Sequence, residues 1–481
     1  MNFSVVLKIL GTVMWWEAVL MLPSLIISLS DNSYDVQAFI ISIIITGISG
    51  LLLKSINLNG RSMKKREAYA SVALCWLIIS IFGALPFYLS GAAPNFVDAF
   101  FESASGFTTT GSSIFTDVEH LPRSLLFWRS FTLWIGGMGV LIFTLTLSHT
   151  LGARSIFLMH AESTGPSPGK LVPKLSETAR ILYIIYTLMT VIAILMFIAG
   201  GMPVFDSFIH AFGTAGTGGF SSKSLSIGYY NSDFIEWGSS ILMFLFGINF
   251  TLYYLVFKGD WKHVVKSEEL RLYTAIVVVS ICLIYLNNLP TYGYSFYESL
   301  KKSVFQVTSI ITTTGYATTD INLWPLFSKT IVLILMFTGA CAGSTTGGLK
   351  LMRVLILSKS VIYEINHTIH PNSIQTVKID GKTVDNNIIK SVLIFFYMYI
   401  IIIFASMLII SLENYDFMTT FSSVVASLGN IGSGFEIISP LGNFSGFSSL
   451  SKLTLSLCMI IGRLELIPVI TLLSPSVWKN Q

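Results

Sequence analysis

Four stretches of this chain place threonine or asparagine against glycine in a form suited to holding a bare cation. They are Gly106-Phe107-Thr108-Thr109-Thr110-Gly111-Ser112, Gly213-Thr214-Ala215-Gly216-Thr217-Gly218-Gly219-Phe220-Ser221, Thr312-Thr313-Thr314-Gly315-Tyr316 and Leu428-Gly429-Asn430-Ile431-Gly432-Ser433-Gly434. A selectivity filter turns backbone carbonyls toward a common axis, where they replace a cation's hydration shell. Glycine suits such a loop because positive φ costs it nothing sterically. One Thr-Thr-Gly is an ordinary loop sequence. Four copies are an internal repeat, with Gly111, Gly218, Gly315 and Gly432 roughly 100 residues apart. Four loops in one chain can surround one axis as four identical subunits would. The expected ligands are the carbonyls of Thr109, Thr110, Gly111, Gly216, Thr217, Gly218, Thr313, Thr314, Gly315, Asn430, Ile431 and Gly432. The alternative role for these glycines is to permit tight turns or helix contact. Four copies in register, each after a short helix, argue against it.

Such loops need a low-dielectric frame, and the composition supplies one. The chain has 481 residues, 53% hydrophobic and 11% charged, with a mean hydropathy of +0.72. Soluble domains carry about 25% charged residues, so this is an integral membrane protein. The net charge of +4 comes without a dense basic patch, which argues against nucleic-acid binding. Cys75, Cys282, Cys341 and Cys458 lie scattered in apolar runs without a CxxC, which reads as reduced thiols. The first apolar run lacks a small-residue cleavage site and is read as a retained helix.

A spanning helix needs about 20 apolar residues. Val5 to Leu29 and Val36 to Leu53 form an amino-terminal hairpin within residues 1–67, with Glu17 in the first helix beside Trp15 and Trp16. Near interfacial tryptophans, Glu17 is read as a packed or solvated group. Four units of one plan follow: outer helix, half-helix, filter loop, inner helix. Unit one (68–150) runs Ala68 to Leu89, Asn95 to Ser105, then Leu125 to Leu147. Unit two (178–258) runs Ala179 to Ala199, Val204 to Phe212, then Phe234 to Phe257. Unit three (270–358) runs Leu272 to Leu289, Phe296 to Ile311, then Leu326 to Leu357. Unit four (388–476) runs Ile388 to Ile410, Asp416 to Ser427, then Leu453 to Leu473. The expected fold is an all-α polytopic membrane protein with ten transmembrane helices. Its four helix–pore-loop–helix repeats surround one pseudo-fourfold pore. Non-helical backbone at membrane depth is tolerated where protein or a water-filled cavity covers it, and each half-helix would aim about half a negative charge at the axis.

Positive loops stay inside. Lys54, Arg61, Lys64, Lys65 and Arg66, then Arg154, Lys170 and Lys174, Lys258, Lys262 and Lys266, and Lys359, Lys378 and Lys382 fall on one side. Both termini are therefore expected in the cytoplasm, with the filters facing outward. Within the third inner helix, Gly339-Ala340-Cys341-Ala342-Gly343-Ser344-Thr345-Thr346-Gly347-Gly348 cannot be good continuous helix, since each glycine costs roughly 1 kcal/mol relative to alanine. It reads as a flexible loop under the filter that closes the pathway, with small-residue helix packing as the alternative. Arg463 lies in the last inner helix, and a guanidinium there must be paired or face water. Glu465, two residues on, falls on another helix face. His367 and His370 lack a third ligand, and no Walker A or GxGxxG motif is present. The chain is expected to bind no nucleotide itself.

Together these residues resemble the Trk/Ktr/HKT superfamily of potassium transporters, and within it the TrkH/TrkG-type membrane subunit of bacterial Trk uptake systems. The resemblance rests on Asp98-Ala99-Phe100-Phe101-Glu102-Ser103 before Thr108–Gly111; on Trp134-Ile135-Gly136-Gly137-Met138-Gly139; on Gly218-Gly219-Phe220-Ser221; on Gly339 to Lys350; and on Gly462-Arg463-Leu464-Glu465. It spans nearly the whole chain, although the second and fourth loops depart from Thr-Thr-Gly. It implies potassium uptake across the bacterial inner membrane, with potassium as the transported ion. It implies potassium over sodium, since relatives with serine at the first filter glycine tend to pass sodium. It also implies that Gly339, Gly343, Ser344, Thr345, Thr346, Gly347 and Gly348 form the gate and that Arg463 projects into the pore. The implied partners are a second copy of the chain and a TrkA-type cytoplasmic ring that binds nucleotide. Candidate docking connections are Ser155 to Glu177 and Lys359 to Asn387. A sodium-permeable or cation-coupled symporter of the same superfamily is the near alternative. An inverted-repeat secondary transporter fits less well, because every unit here begins and ends inside. A membrane enzyme lacks a nucleophile–base pair.

Overall fold

The computed structural model describes residues 2–56, 65–137, 139, 175–372 and 376–464. The described residues are overwhelmingly helical; the strands among them are a two-residue antiparallel hairpin, Lys378–Ile379 against Lys382–Thr383. Among the described residues six helices are long and apolar enough to cross a membrane: Phe3–Ser30, Val36–Lys54, Arg66–Leu89, Arg180–Ala199, Glu268–Asn288 and Asn386–Glu413. Each keeps an apolar face outward, as at Leu52, Leu195, Leu286 and Phe404, which is where lipid replaces water as solvent.

The expected inner helix Phe234 to Phe257 is not one rod. It divides into Asp233–Phe246 and Phe250–Phe257, which meet at 91°. Asn249 causes the break: its side chain caps the second piece by accepting from the Thr251 amide at 2.9 Å. The third inner helix divides as expected, into Leu326–Thr338 and Leu351–Ile369. The first and fourth inner helices are described as Arg123–Gly137 and Ser449–Arg463. Their expected continuations to Leu147 and Leu473 lie outside the described residues, as do Glu465 and most of the connection Ser155 to Glu177.

Between the long helices sit four short ones: Phe96–Phe107, Val204–Gly216, Phe296–Ile311 and Phe417–Leu428. Three of their four starts are set by side-chain caps. Asn95 accepts from the Asp98 amide, Ser295 from Glu298 and Asp416 from Thr419, while Pro203 precedes the second. Their carboxyl-terminal turns are wholly buried. Some polar side chains there bond back one turn, as Thr108 does to the Ala104 carbonyl at 2.6 Å and Thr312 to Thr308 at 2.6 Å, whereas Ser105 Oγ and Ser427 Oγ have no hydrogen-bond partner among the described residues. Each short helix therefore delivers its negative end, and the loop that follows, to the interior of the molecule.

Candidate ion filter and gate

After each short helix one residue takes a left-handed conformation that non-glycine residues seldom adopt. These are Thr109 (φ 58°), Thr217 (φ 56°), Thr313 (φ 55°) and Asn430 (φ 52°). The same amide bonds recur around them. Thr109 donates to the Gly106 carbonyl and Thr110 to Ser105; Thr217 donates to Thr214 and Gly218 to Gly213; Thr313 donates to Ile310 and Thr314 to Ser309; Asn430 donates to Ser427 and Ile431 to Ala426. Two residues beyond each left-handed position stand Gly111, Gly219, Gly315 and Gly432.

The second loop is therefore shifted by one from the alignment expected from sequence. Gly219, not Gly218, occupies the place of the other three glycines. Gly216 is the last helical residue, and a Cβ there would lie 2.4 Å from the Leu133 carbonyl oxygen, so its smallness serves helix packing. The usable signal was the aromatic residue after the glycine: Gly219-Phe220 matches Gly315-Tyr316, whereas counting threonines does not.

The four glycines close a cycle. A Cβ on Gly111 would meet the Gly219 amide nitrogen at 2.3 Å. One on Gly219 would meet the carbonyl oxygens of Thr314 at 2.8 Å and Gly315 at 2.9 Å. One on Gly315 would meet the Ile431 oxygen at 2.2 Å, and one on Gly432 the Thr110 oxygen at 2.3 Å. Loop one thus leans on two, two on three, three on four and four on one. Side chains lace loops one and four together: Ser112 Oγ donates to the Gly432 carbonyl at 3.0 Å and Asn430 Nδ2 to Thr110 Oγ1 at 2.9 Å. A polar cavity opens onto all four glycines, with Ser113, Ser221 and Ser433 among its walls.

On the other side of the cycle lies the break in the third inner helix. Gly339, Gly343, Gly348 and Lys350 all have positive φ, so the segment turns repeatedly. The Gly347 amide donates to Thr313 Oγ1 at 2.8 Å. A Cβ on Gly347 would stand 2.3 Å from the Gly429 oxygen and 2.8 Å from Asn430 Cβ. Further along, the Phe250 amide donates to the Gly343 carbonyl at 3.0 Å and the Cys341 amide to Gly247 at 3.1 Å, so the break in one inner helix is filled by the break in another. Glu269 accepts from the Ala342 amide at 2.6 Å. Arg463 donates to the Thr345 carbonyl at 2.7 Å and to the Gly136 carbonyl at 2.8 Å. It joins the third-unit loop to the first inner helix.

Comparison with known proteins agrees with this architecture. Residues 33–480 match the TrkH family of cation transport proteins. The chain is 34% identical over 490 residues to the Trk system potassium uptake protein TrkH of Salmonella typhimurium, with all of both chains covered. It is 33% identical over 483 residues to TrkG of Escherichia coli, covering 100% of this chain and 99% of that one. The chain belongs to the TrkH family. A solved member, the potassium transporter TrkH from Vibrio parahaemolyticus, superposes with a TM-score of 0.89 at 30% identity over the full length of both chains.

Two buried ion pairs brace the loops of this TrkH-family protein, and neither is visible in linear sequence. Glu102 on the first short helix pairs with Arg129. The Glu102 carboxylate also accepts from the Ile114 amide at 2.9 Å, while Arg129 stacks 3.8 Å over Phe220 and donates to the Ser221 carbonyl at 3.1 Å. One pair therefore holds the exits of loops one and two. Asp98 pairs with Lys452 of the fourth inner helix at 2.6 Å. Other buried groups brace the second and third loops: Tyr316 donates to the His210 carbonyl at 3.0 Å, and His210 Nε2 lies 2.9 Å from Ser221 Oγ. Among the described residues no three His, Cys, Asp or Glu side chains gather as a metal-binding group.

Proposed function

We propose that this chain is the membrane subunit of a bacterial potassium uptake system, and that potassium crosses through the ring formed by its four loops. The observation that carries the reading is the closed cycle of glycine contacts, because it brings carbonyl-bearing backbone from four separate units to one centre. The ligands are the carbonyls of Thr109, Thr110 and Gly111, of Thr217, Gly218 and Gly219, of Thr313, Thr314 and Gly315, and of Asn430, Ile431 and Gly432. They replace the water shell of the entering ion, and four helix carboxyl ends add a negative field. The potassium assignment rests on the names of the relatives and on glycine at all four ring positions.

In this reading the chain has ten spanning helices: an amino-terminal hairpin (1–67) and the four units 68–150, 178–258, 270–358 and 388–476. Both termini face the cytoplasm of the inner membrane. The segment Gly339 to Gly348 is the gate, and Arg463 holds it shut while placing positive charge beside the path. The chain transports and does not catalyse. It works as a homodimer with a cytoplasmic nucleotide-binding ring of the TrkA type, docked at connections that include Lys359 to Asn387, and it binds no nucleotide itself.

The test is expression in a strain lacking potassium uptake, followed by rubidium and sodium flux in reconstituted vesicles. Growth at low potassium should be restored, and rubidium should pass in preference to sodium. Gly111→Ser should erode that preference. An unaltered ratio in this variant would remove the ring from the conduction path.

A further inference from the structure

The four left-handed residues at the base of the ring are equivalent in backbone and unequal in side chain. Thr217 Oγ1 donates to its neighbour, the Gly216 carbonyl, at 2.6 Å. Asn430 Nδ2 donates to Thr110 Oγ1 and to the Met459 carbonyl, both at 2.9 Å. Thr109 Oγ1 has no hydrogen-bond partner among the described residues. Thr313 differs from all three: its hydroxyl oxygen accepts the Gly347 amide at 2.8 Å, reaching from the third loop into the broken inner helix. Both residues lie in the protein interior, and Thr313 is fully buried.

We propose that the Thr313 side chain is a latch that ties the gate segment to the ring. Thr313 is a positioning residue: its backbone belongs to the ring, and its hydroxyl fixes where Gly347 rests. Three observations support the assignment. Gly347 has no room to sit closer, since a Cβ there would collide with the Gly429 oxygen at 2.3 Å; the contact is set by shape as well as by the bond. Lifting the segment away from the fourth loop leaves the Gly347 amide without its acceptor, and an orphaned buried donor is costly. Among the described residues the bond occurs in one unit of four, the unit whose inner helix holds the break beneath the ring. By linkage, any change in the third loop that alters the Thr313 position also shifts the gate equilibrium, and the reverse holds equally.

The inference rests on the gating reading above, and the experiment separates the two. Full-length protein is reconstituted in vesicles and rubidium uptake is measured for wild type, Thr313→Val, Thr313→Ser, Gly347→Ala, a deletion of residues 343–347, and that deletion combined with Thr313→Val. Valine keeps the shape and removes the hydroxyl. Basal flux should rise about two- to tenfold in Thr313→Val, the range expected for losing one buried hydrogen bond. It should also rise in Gly347→Ala, which strikes the same contact from the other side. Thr313→Ser should restore the low basal flux, and valine should add nothing in the deletion background. If the deletion raises flux while Thr313→Val and Gly347→Ala do not, the latch is overturned and the gate stands. A deletion without effect overturns the gate and the latch with it. A changed rubidium-to-sodium ratio in Thr313→Val at unchanged basal flux also overturns the latch, because the hydroxyl would then act on the ring alone.

Discussion

Lys452 Nζ lies 2.6 Å from Asp98 Oδ1 although 354 residues separate them. Both side chains are buried, and the ammonium also donates to the Ser445 carbonyl at 3.0 Å. The pair fastens the last inner helix to the first short helix, so the fourth unit is held against the first independently of the loops. Removing one member leaves the other as an uncompensated buried charge, which costs about 3–5 kcal/mol. Lys452→Met should lower the unfolding midpoint in detergent, and Asp98→Asn placed with it should recover part of the loss. Identical midpoints for the single and double variants would show that the two groups do not act together.

The shifted second loop makes a prediction of its own. Gly219→Ser should erode rubidium-over-sodium discrimination as Gly111→Ser does, because a Cβ at Gly219 meets the Thr314 and Gly315 carbonyl oxygens at 2.8 and 2.9 Å. At Gly218 an added Cβ would instead strike Leu133 Cδ2 at 2.4 Å. Gly218→Ala should therefore lower thermal stability more than it changes the ratio. A larger change in the ratio at Gly218 than at Gly219 would restore the alignment read from sequence.

Arg463 spans two carbonyls with one planar group, Thr345 at 2.7 Å and Gly136 at 2.8 Å. An ammonium is a single point charge without that fork. Basal rubidium flux should rise in Arg463→Gln, and Arg463→Lys should fall between it and wild type. If lysine matched arginine, charge alone would be responsible and the bridging geometry would be irrelevant.

Glu17 is 4% exposed, and neither carboxylate oxygen has a hydrogen-bond partner among the described residues. Carrying a charge there is expensive. Glu17→Gln should leave flux unchanged and hold or raise the unfolding midpoint. A loss of transport with the fold intact would instead assign Glu17 a part in conduction.

The short helices were legible because their length and the threonine–glycine runs after them agree, while their caps were not read from sequence. Asn95, Ser295 and Asp416 all cap as their residue types dictate. The broken third inner helix was equally legible, since glycine density at Gly339 to Gly348 defeats a helix whatever surrounds it. The break at Asn249 was not. A single asparagine between apolar runs carries little local signal, and its cap is stabilised by the Phe250–Gly343 bond from a distant segment. The loop-two register failed for a related reason: residue identity names the glycines, but only φ at Thr217 shows which one stands two residues beyond the left-handed position. The pairs Glu102–Arg129 and Asp98–Lys452 were beyond reach because nothing along the chain specifies which buried charges meet. Glu17 was read as a packed or solvated group, and the structure buries it.

Because one polypeptide writes all four quadrants of its central ring, each quadrant is inherited separately and can be altered separately. A ring assembled from identical subunits must repeat every change four times, so a bond such as Thr313–Gly347 would appear on every side or on none. Here, among the described residues, the left-handed threonine of one quadrant bonds to the Gly339–Gly348 segment, and those of the other two threonine quadrants do not. One quadrant of such a ring can therefore change without redesigning the rest.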